Sequence, residues 1–291
     1  MKGIQVIPTI FYVAIFIIIL FVVGALIATF PGIEKRILNL LRQWFGLPIE
    51  DIAVLYHFDE GTGTCVEDLS NHGTLGKLNG RDCGGDSDMW VLDKNDIMVG
   101  SGAIRFKNND YVEAKYSSEI GGKMLNMENV EGMTIDFWLK VVGSHGDIYL
   151  LYKGNSMNDC LNGRANYCLK LTGDDKIEFK IKIKNIGYCS LTSNRLTTGY
   201  NHIAVTYENK TGKVKFYIQG RVDREAECHL GIIASSDPYD APLYVGCKDT
   251  ACPEALDAQG NEIGGLYMDE LRIYTRAISP EEVVMHFQAI Y

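Results

Sequence analysis

Between Lys176 and Lys184 every second residue is apolar. Ile177, Phe179, Ile181 and Ile183 alternate with Lys176, Glu178, Lys180, Lys182 and Lys184. The same period of two recurs in Ile203, Val205 and Tyr207, and again in Val214, Phe216 and Ile218. Such alternation predicts antiparallel strands with one buried face. Glu208-Asn209-Lys210-Thr211-Gly212 lies between two of these runs and predicts a hairpin. Further strands are expected at 53–58, 102–106, 110–115, 133–141, 148–152, 167–171, 243–246 and 266–274. About a dozen short strands separated by Gly, Asn and Asp predict an all-β fold, a two-sheet antiparallel sandwich of jelly-roll type. Near the end, Ser279 is a helix cap, Pro280 takes the first helical position and Glu282 completes a capping box. A short C-terminal helix is therefore expected.

The strand from Tyr267 holds an oddity. Strict alternation puts Tyr267, Asp269, Leu271 and Ile273 on one face, and Met268, Glu270, Arg272 and Tyr274 on the other. A carboxylate in phase with Leu and Ile is costly unless it is paired, hydrogen-bonded or bound to metal.

Two helical units are expected before the strands. No charge occurs between Lys2 and Glu34, and Thr9 to Phe30 is almost wholly apolar. A span needs about 20 apolar residues, and a signal peptide's apolar region is only about 7–15 long. Residues 1–31 thus predict an uncleaved transmembrane helix, although Gly24 and Ala25 leave cleavage open. Residues 32–50 predict a short amphipathic helix opened by Pro31. Ile33, Ile37, Leu40, Leu41, Trp44 and Phe45 form its stripe, and Gly46 and Pro48 end it. It would lie at the lipid surface, or pack on the following domain or on a second copy. Residues 51–291 then form one domain.

Charge and cysteine usage narrow the classes. Residues 1–50 hold Lys2, Lys35, Arg36 and Arg42 against Glu34 and Glu50, a net of +2; the whole chain is −9, so −11 falls on the rest. So acidic a domain excludes a nucleic-acid partner. The cations after the apolar run place the C-terminal side in the cytoplasm by the positive-inside rule. The cysteines argue the reverse. Cys65, Cys83, Cys160, Cys168, Cys189, Cys228, Cys247 and Cys252 all follow the anchor, and none forms a CxxC pair. An even set without zinc spacing fits disulfides in an extracytoplasmic space. Loop proximity favours Cys65–Cys83, Cys160–Cys168, Cys189–Cys228 and Cys247–Cys252, among the 105 connectivities open to eight cysteines.

The ordered motifs resemble a known family. Tyr56-His57-Phe58-Asp59-Glu60-Gly61-Thr62-Gly63-Thr64, then Asp68 and Asn71-His72-Gly73-Thr74-Leu75, is similar to the opening of laminin-G-like jelly rolls, members of the concanavalin A-like lectin/glucanase superfamily. Gly102–Phe106, Met133–Lys140, Tyr200–Tyr207, Leu243–Gly246 and Gly265–Glu282 fit its later strands in order. Tyr200 replaces a common Trp, and Gln219-Gly220 replaces a common Asp-Gly turn. The resemblance implies an extracellular binding or adhesion module, often for glycans and often with structural calcium. For Ca²⁺ it points to Asp269 with Asp59 from the opening strand, and to Asp110 as a third ligand; carbonyls and water would complete six to eight oxygens. The alternative is Asp269 accepting backbone N–H bonds with no ion.

Catalysis of the glucanase type needs paired carboxylates facing one groove. No Glu-x-Asp-x-x-Glu run occurs, and only Asp136 stands on the corresponding strand. Asp269 and Glu270, on opposite faces, could not act together. A binding module is expected instead of an enzyme. Aromatics for a glycan would be Trp90, Tyr149, Tyr152, Tyr167 and Tyr188, although sheets favour aromatics anyway. The Lys180, Lys182 and Lys184 stripe could meet an anionic sugar or lipid, or simply protect an edge. Asn209-Lys210-Thr211 is a glycosylation sequon at a hairpin tip. The expected function is a membrane-anchored extracytoplasmic binding module, carbohydrate-binding or adhesive, whose partner is a glycan or a surface protein. Its alternative is a structural protein–protein module of a surface assembly without a sugar site; a glycoside hydrolase relative ranks below both.

Overall fold

The computed structural model describes residues 51–288, apart from 108, 117–118, 236–239, 257 and 261–263. The chain divides into two units, Met1–Ile49 and Glu50–Tyr291. The expected anchor and juxtamembrane helix lie outside the described residues. Among the described residues no helix is long and apolar enough to cross a membrane.

Strands β1 (Ile52–Tyr56), β2 (Cys65–Val66), β3 (Gly76–Leu78), β4 (Trp90–Val91), β5 (Ala103–Phe106) and β6 (Tyr111–Ala114) open the fold. Then come helix α1 (Glu119–Leu125), β7 (Gly132–Val142), β8 (Ile148–Lys153), helix α2 (Asn158–Asn162), β9 (Tyr167–Leu171), β10 (Lys176–Ile183) and β11 (Gly187–Arg195). β12 (Tyr200–Glu208), β13 (Lys213–Ile218), β14 (Arg221–Glu227), β15 (Leu243–Gly246), β16 (Gly265–Tyr274) and helix α3 (Pro280–Gln288) complete it.

Among the described residues the strands form two eight-stranded antiparallel sheets. Sheet A runs β14-β13-β12-β7-β16-β5-β4, with β1 also on β16; sheet B runs β11-β10-β9-β8-β15-β6-β3-β2. The core between them takes the apolar phase of each strand, including Phe137, Phe179, Val205, Phe216 and Ile273. Burial of these alternating positions is the main driving force. In β10 the four apolar residues are buried and the lysines face out, as the alternation predicts. The two-sheet sandwich is thus the expected one. β11 and β14 went unpredicted, because most of their residues are polar and exposed at one side of the molecule.

All eight cysteines pair, as Cys65–Cys83, Cys160–Cys168, Cys189–Cys228 and Cys247–Cys252. These are the pairings that loop proximity favours. The helix cap also forms: Glu282 N–H donates to Ser279 Oγ (3.2 Å) and Ser279 N–H to Glu282 Oε2 (2.9 Å).

Strand β16 corrects strict alternation. Asp269 pairs with Trp138 and Arg272 with Asp136, so three steps on β16 match two on β7. The extra residue is a β-bulge, and Glu270 there has φ +57°. The bulge shifts the side-chain phase by one. Leu266 and Met268 point into the core before it, Leu271 and Ile273 after it. Asp269 therefore does not share a face with Leu271 and Ile273. A residue-by-residue pattern cannot show such a slip.

Candidate functional site

The bulge gathers charge on the outer face of sheet A, and there Asp269 and Glu270 stand on the same side. Arg272 reaches across, donating from Nη1 to Asp136 Oδ1 (3.1 Å) and from Nη2 to Glu270 Oε2. The other Glu270 oxygen meets His57 Nδ1. His286 Nδ1 on α3 stands 3.2 Å from Asp136 Oδ2. His202 Nε2 lies at the same 3.2 Å, close enough to pair but off hydrogen-bond geometry. Asp136 is fully buried and Glu270 is 1% exposed, so these charges depend on one another. Burial opposes ionisation of Asp136, yet the imidazoles of His202 and His286 outweigh it and hold its carboxyl far below the usual range. Burial likewise disfavours the Arg272 cation, and Glu270 and Asp136 overcome that and raise its pKa.

Helix α3 closes this face. Phe287 stacks on Trp138 with centroids 5.8 Å apart, and the His202 ring lies 5.0 Å from Trp138 and 6.0 Å from Phe287. Trp138 Nε1 is buried without a hydrogen-bond partner among the described residues. At the other end of the face, residues 92–102 lie across the sheet. Tyr200 donates to Asp96 O (2.6 Å), and Lys140 pairs with Asp96 while sitting over the Tyr267 ring. A cavity of about 290 Å³ opens beside the start of α3, but its charged walls are already paired, Arg276 with Glu282 and both Lys213 and Lys215 with Glu225. Of the acids on this face, Asp136 and Glu270 are held in ion pairs with Arg272, and Asp136 also meets His286 of α3.

The calcium candidates separate. Asp269 Oδ2 accepts the N–H groups of Met98 and Val99, both at 2.9 Å. Its Oδ1 is buried with no partner among the described residues. Burial, then the Glu270 and Asp59 charges, push its pKa up to about 7 against those two N–H bonds. Asp59 Oδ1 accepts from Ser101 (2.7 Å) and Gly102 (2.8 Å), so both carboxylates pin one loop. Gly100 permits the approach, because a Cβ there would stand 2.5 Å from an Asp59 oxygen and φ is +71°. Asp110 is elsewhere. Its Oδ1 accepts from Asn79 Nδ2 and its Oδ2 from Lys107 N–H in the β5–β6 turn. Among the described residues no three acidic, His or Cys side chains converge as a metal cage.

The predicted aromatics are less available than expected. Tyr167 belongs to the core and donates to Leu125 O (3.2 Å); Tyr152 is fully buried and donates to Asp249. Neither can stack on a sugar. Tyr149 is buried too, beside Tyr152, because a second bulge in β8 turns both outward beneath α2 and its loop. Trp90 and Tyr188 are half-buried, and donate to the carbonyls of Gly63 (2.9 Å) and Ala165 (2.7 Å). At the sequon Asn209 is half-buried; its Nδ2 donates to Val130 O in the segment before β7, and its Oδ1 is buried.

The outer face of sheet B differs from that of sheet A. Register aligns Tyr149, Lys170, Glu178 and Thr192 across four strands, and Cys168, Lys180 and Ser190 in the next row. Lys170 pairs with Glu178 (2.9 Å) and Asp147 (3.1 Å). The result is a row of paired, half-buried charges beside the tyrosines that α2 covers, with Ser190 and Thr192 exposed at its edge.

Comparison with known proteins agrees with this architecture. A family model described as the concanavalin A-like lectin/glucanases superfamily matches residues 106–284. No curated protein matches the sequence. Among solved structures, the botulinum neurotoxin serotype D binding domain matches with TM-score 0.56 and 15% identity, over 82% of this chain and 51% of that one. A botulinum neurotoxin DC binding domain in complex with rat synaptotagmin II gives TM-score 0.55 and 10% identity, over 82% and 51%. The binding domain of Paraclostridial Mosquitocidal Protein 1 gives 0.55 and 18%, over 81% and 52%. The chain spans about half the length of these structures, and at such identities the likeness is one of fold.

Proposed function

The chain belongs to the concanavalin A-like lectin/glucanases superfamily, and on that premise we propose a non-enzymatic, membrane-anchored, extracytoplasmic module that binds a surface protein through the outer face of sheet B. One observation carries this reading. The acidic face of sheet A is covered by α3 and residues 92–102, whereas the outer face of sheet B, partly covered by α2 and carrying the half-buried Lys170, Glu178 and Lys180, ends in the exposed Ser190 and Thr192 of β11. Paired surface charges of this kind give orientation and partner choice more than raw affinity. The four disulfides favour an oxidising compartment outside the cytoplasm, and the apolar run before Pro31 supplies the anchor. The neurotoxin domain solved with synaptotagmin is a relative in fold that holds a protein partner.

A photo-cross-linking residue in place of Ser190 tests the reading in the native membrane. It is expected to capture a protein, while the same residue in place of Glu225, on the outer face of sheet A, captures none. Capture from position 225 alone would refute the assignment.

A glycan is the second reading, favoured by the half-exposed Tyr188 ring opposite Lys182. Glycan-array binding lost on Tyr188→Ala would support it.

Calcium remains part of the proposal. The orphaned Asp269 Oδ1 fits a cation, with Asp59 as second carboxylate and carbonyls and water completing the shell. The ion would neutralise two acids and fix residues 98–102 against β16.

A further inference from the structure

Three of the most exposed aliphatic residues come together at one end of the sandwich. Ile186, Leu230 and Ile232 are 51%, 60% and 52% exposed. Lys184 N–H donates to Ile232 O (2.9 Å), and Ile186 Cδ1 lies 3.9 Å from where a Gly231 Cβ would stand. Scattered exposed aliphatics are ordinary on a protein surface. These have cationic neighbours. Lys182 N–H donates to Asn166 O (2.9 Å), which brings the Arg164 loop alongside. Arg164, Lys182 and Lys184 form no ion pair among the described residues. Elsewhere the domain's cations are mostly paired, and residues 51–291 carry a net charge of −11. An apolar tip with three unpaired cations on one side thus departs from the acidic character of the domain.

The position of the tip supplies the occupant. Gly231 N–H donates to Asn209 O (3.3 Å) and Asn209 N–H to Glu131 O (3.0 Å), so the tip adjoins the start of β7 and the end of β12. At that same end Thr134 pairs with Tyr274, Ile52 pairs with Tyr274, and Thr275 N–H donates to Asp51 O (2.9 Å). β12, β7, β16 and β1 are successive neighbours. Asp51, where the described chain begins, is therefore about three strand spacings from the tip, roughly 15 Å. Asp51, the first described residue, thus lies at the end that carries the aliphatic and cationic groups.

We propose that this end rests on an anionic lipid surface, with Ile186, Leu230 and Ile232 entering the interface and Arg164, Lys182 and Lys184 meeting lipid phosphates. This rests on the anchor reading, which keeps the domain beside a bilayer. Cations with aliphatic stems suit such a boundary, since the stem stays in apolar surroundings while the charge reaches the headgroups. The opposite end, with the turns at 143–147 and 172–175, then faces away from the membrane.

Amide exchange of the full chain in vesicles tests this, with phosphatidylcholine alone compared against phosphatidylcholine plus phosphatidylserine. Exchange at 184–187 and 229–232 is expected to slow when the anionic lipid is present, and exchange at 144–147 to stay the same. Each cation contributes about a fivefold gain at such a surface, so Lys182→Gln with Lys184→Gln lowers the protection about 30-fold. Equal exchange in the two vesicle types overturns the proposal. So does protection that appears only in native membranes and survives the double substitution, which would assign the tip to a protein. The anchor is read separately, by whether alkaline carbonate extracts the chain. If it does, the chain is added to vesicles from outside and the same comparison is read.

Discussion

Arg272→Met is expected to destabilise the domain by about 3–5 kcal/mol, the usual cost of removing one partner from a buried ion pair. Arg272 bridges Asp136 and Glu270, both almost wholly buried. Methionine fills much of the volume but leaves two carboxylates facing only imidazoles. For a domain of this size the midpoint of thermal unfolding falls by about 10 °C. Arg272→Lys keeps a charge but loses the planar fork, and its loss is expected to be intermediate. Urea unfolding at neutral pH measures both. A loss below about 1 kcal/mol for the methionine variant would mean that water, not Arg272, solvates these acids.

The second large effect is one of pH. Asp269 holds its proton up to about 7 in the fold, against about 3.9 in an unfolded chain. Between these values the folded state binds more protons than the unfolded state. Stability from this group is thus full below pH 4, falls as pH rises from about 4 to about 7, and is level above that. The total fall is about 2–4 kcal/mol. Asp269→Asn keeps an acceptor for the Met98 and Val99 N–H groups and removes the ionisation. In chelator at pH 8 the variant is expected to be more stable than the wild type by that amount, and equal to it near pH 4. Added calcium is expected to raise the wild type at pH 8 and leave the variant unchanged. A variant less stable than the wild type at pH 8 in chelator would refute this account of Asp269.

These two residues show what a sequence can and cannot convey. The strand around them was legible from its alternation, and Asp269 was rightly marked as unusual. Its phase was misread because one inserted residue at Glu270 moves every later side chain to the other face. The network of His57, Asp136, His202, Arg272 and His286 was invisible for a related reason. Its members lie on β1's exit, β7, β12, β16 and α3, up to 229 positions apart, and only the register brings them together. The one local signal was the ionisable residues Asp136, His202 and Arg272 standing inside runs that otherwise read as buried strands. The aromatics failed differently. Tyr152 and Tyr167 sit at strand positions where composition favours Tyr for packing and binding alike. The disulfides were legible because most are short local closures between adjacent elements.

The central claim is that α3 is a fixed part of the fold that seals the acidic face of sheet A, leaving binding to other surfaces. Native-state amide exchange of Val283 to Gln288 tests it most directly. The account predicts that these amides exchange only with global unfolding, at the rate of the β7 and β16 core. Local opening of α3, far faster than that of the core, with glycan hydrolysis accompanying it, would contradict the claim.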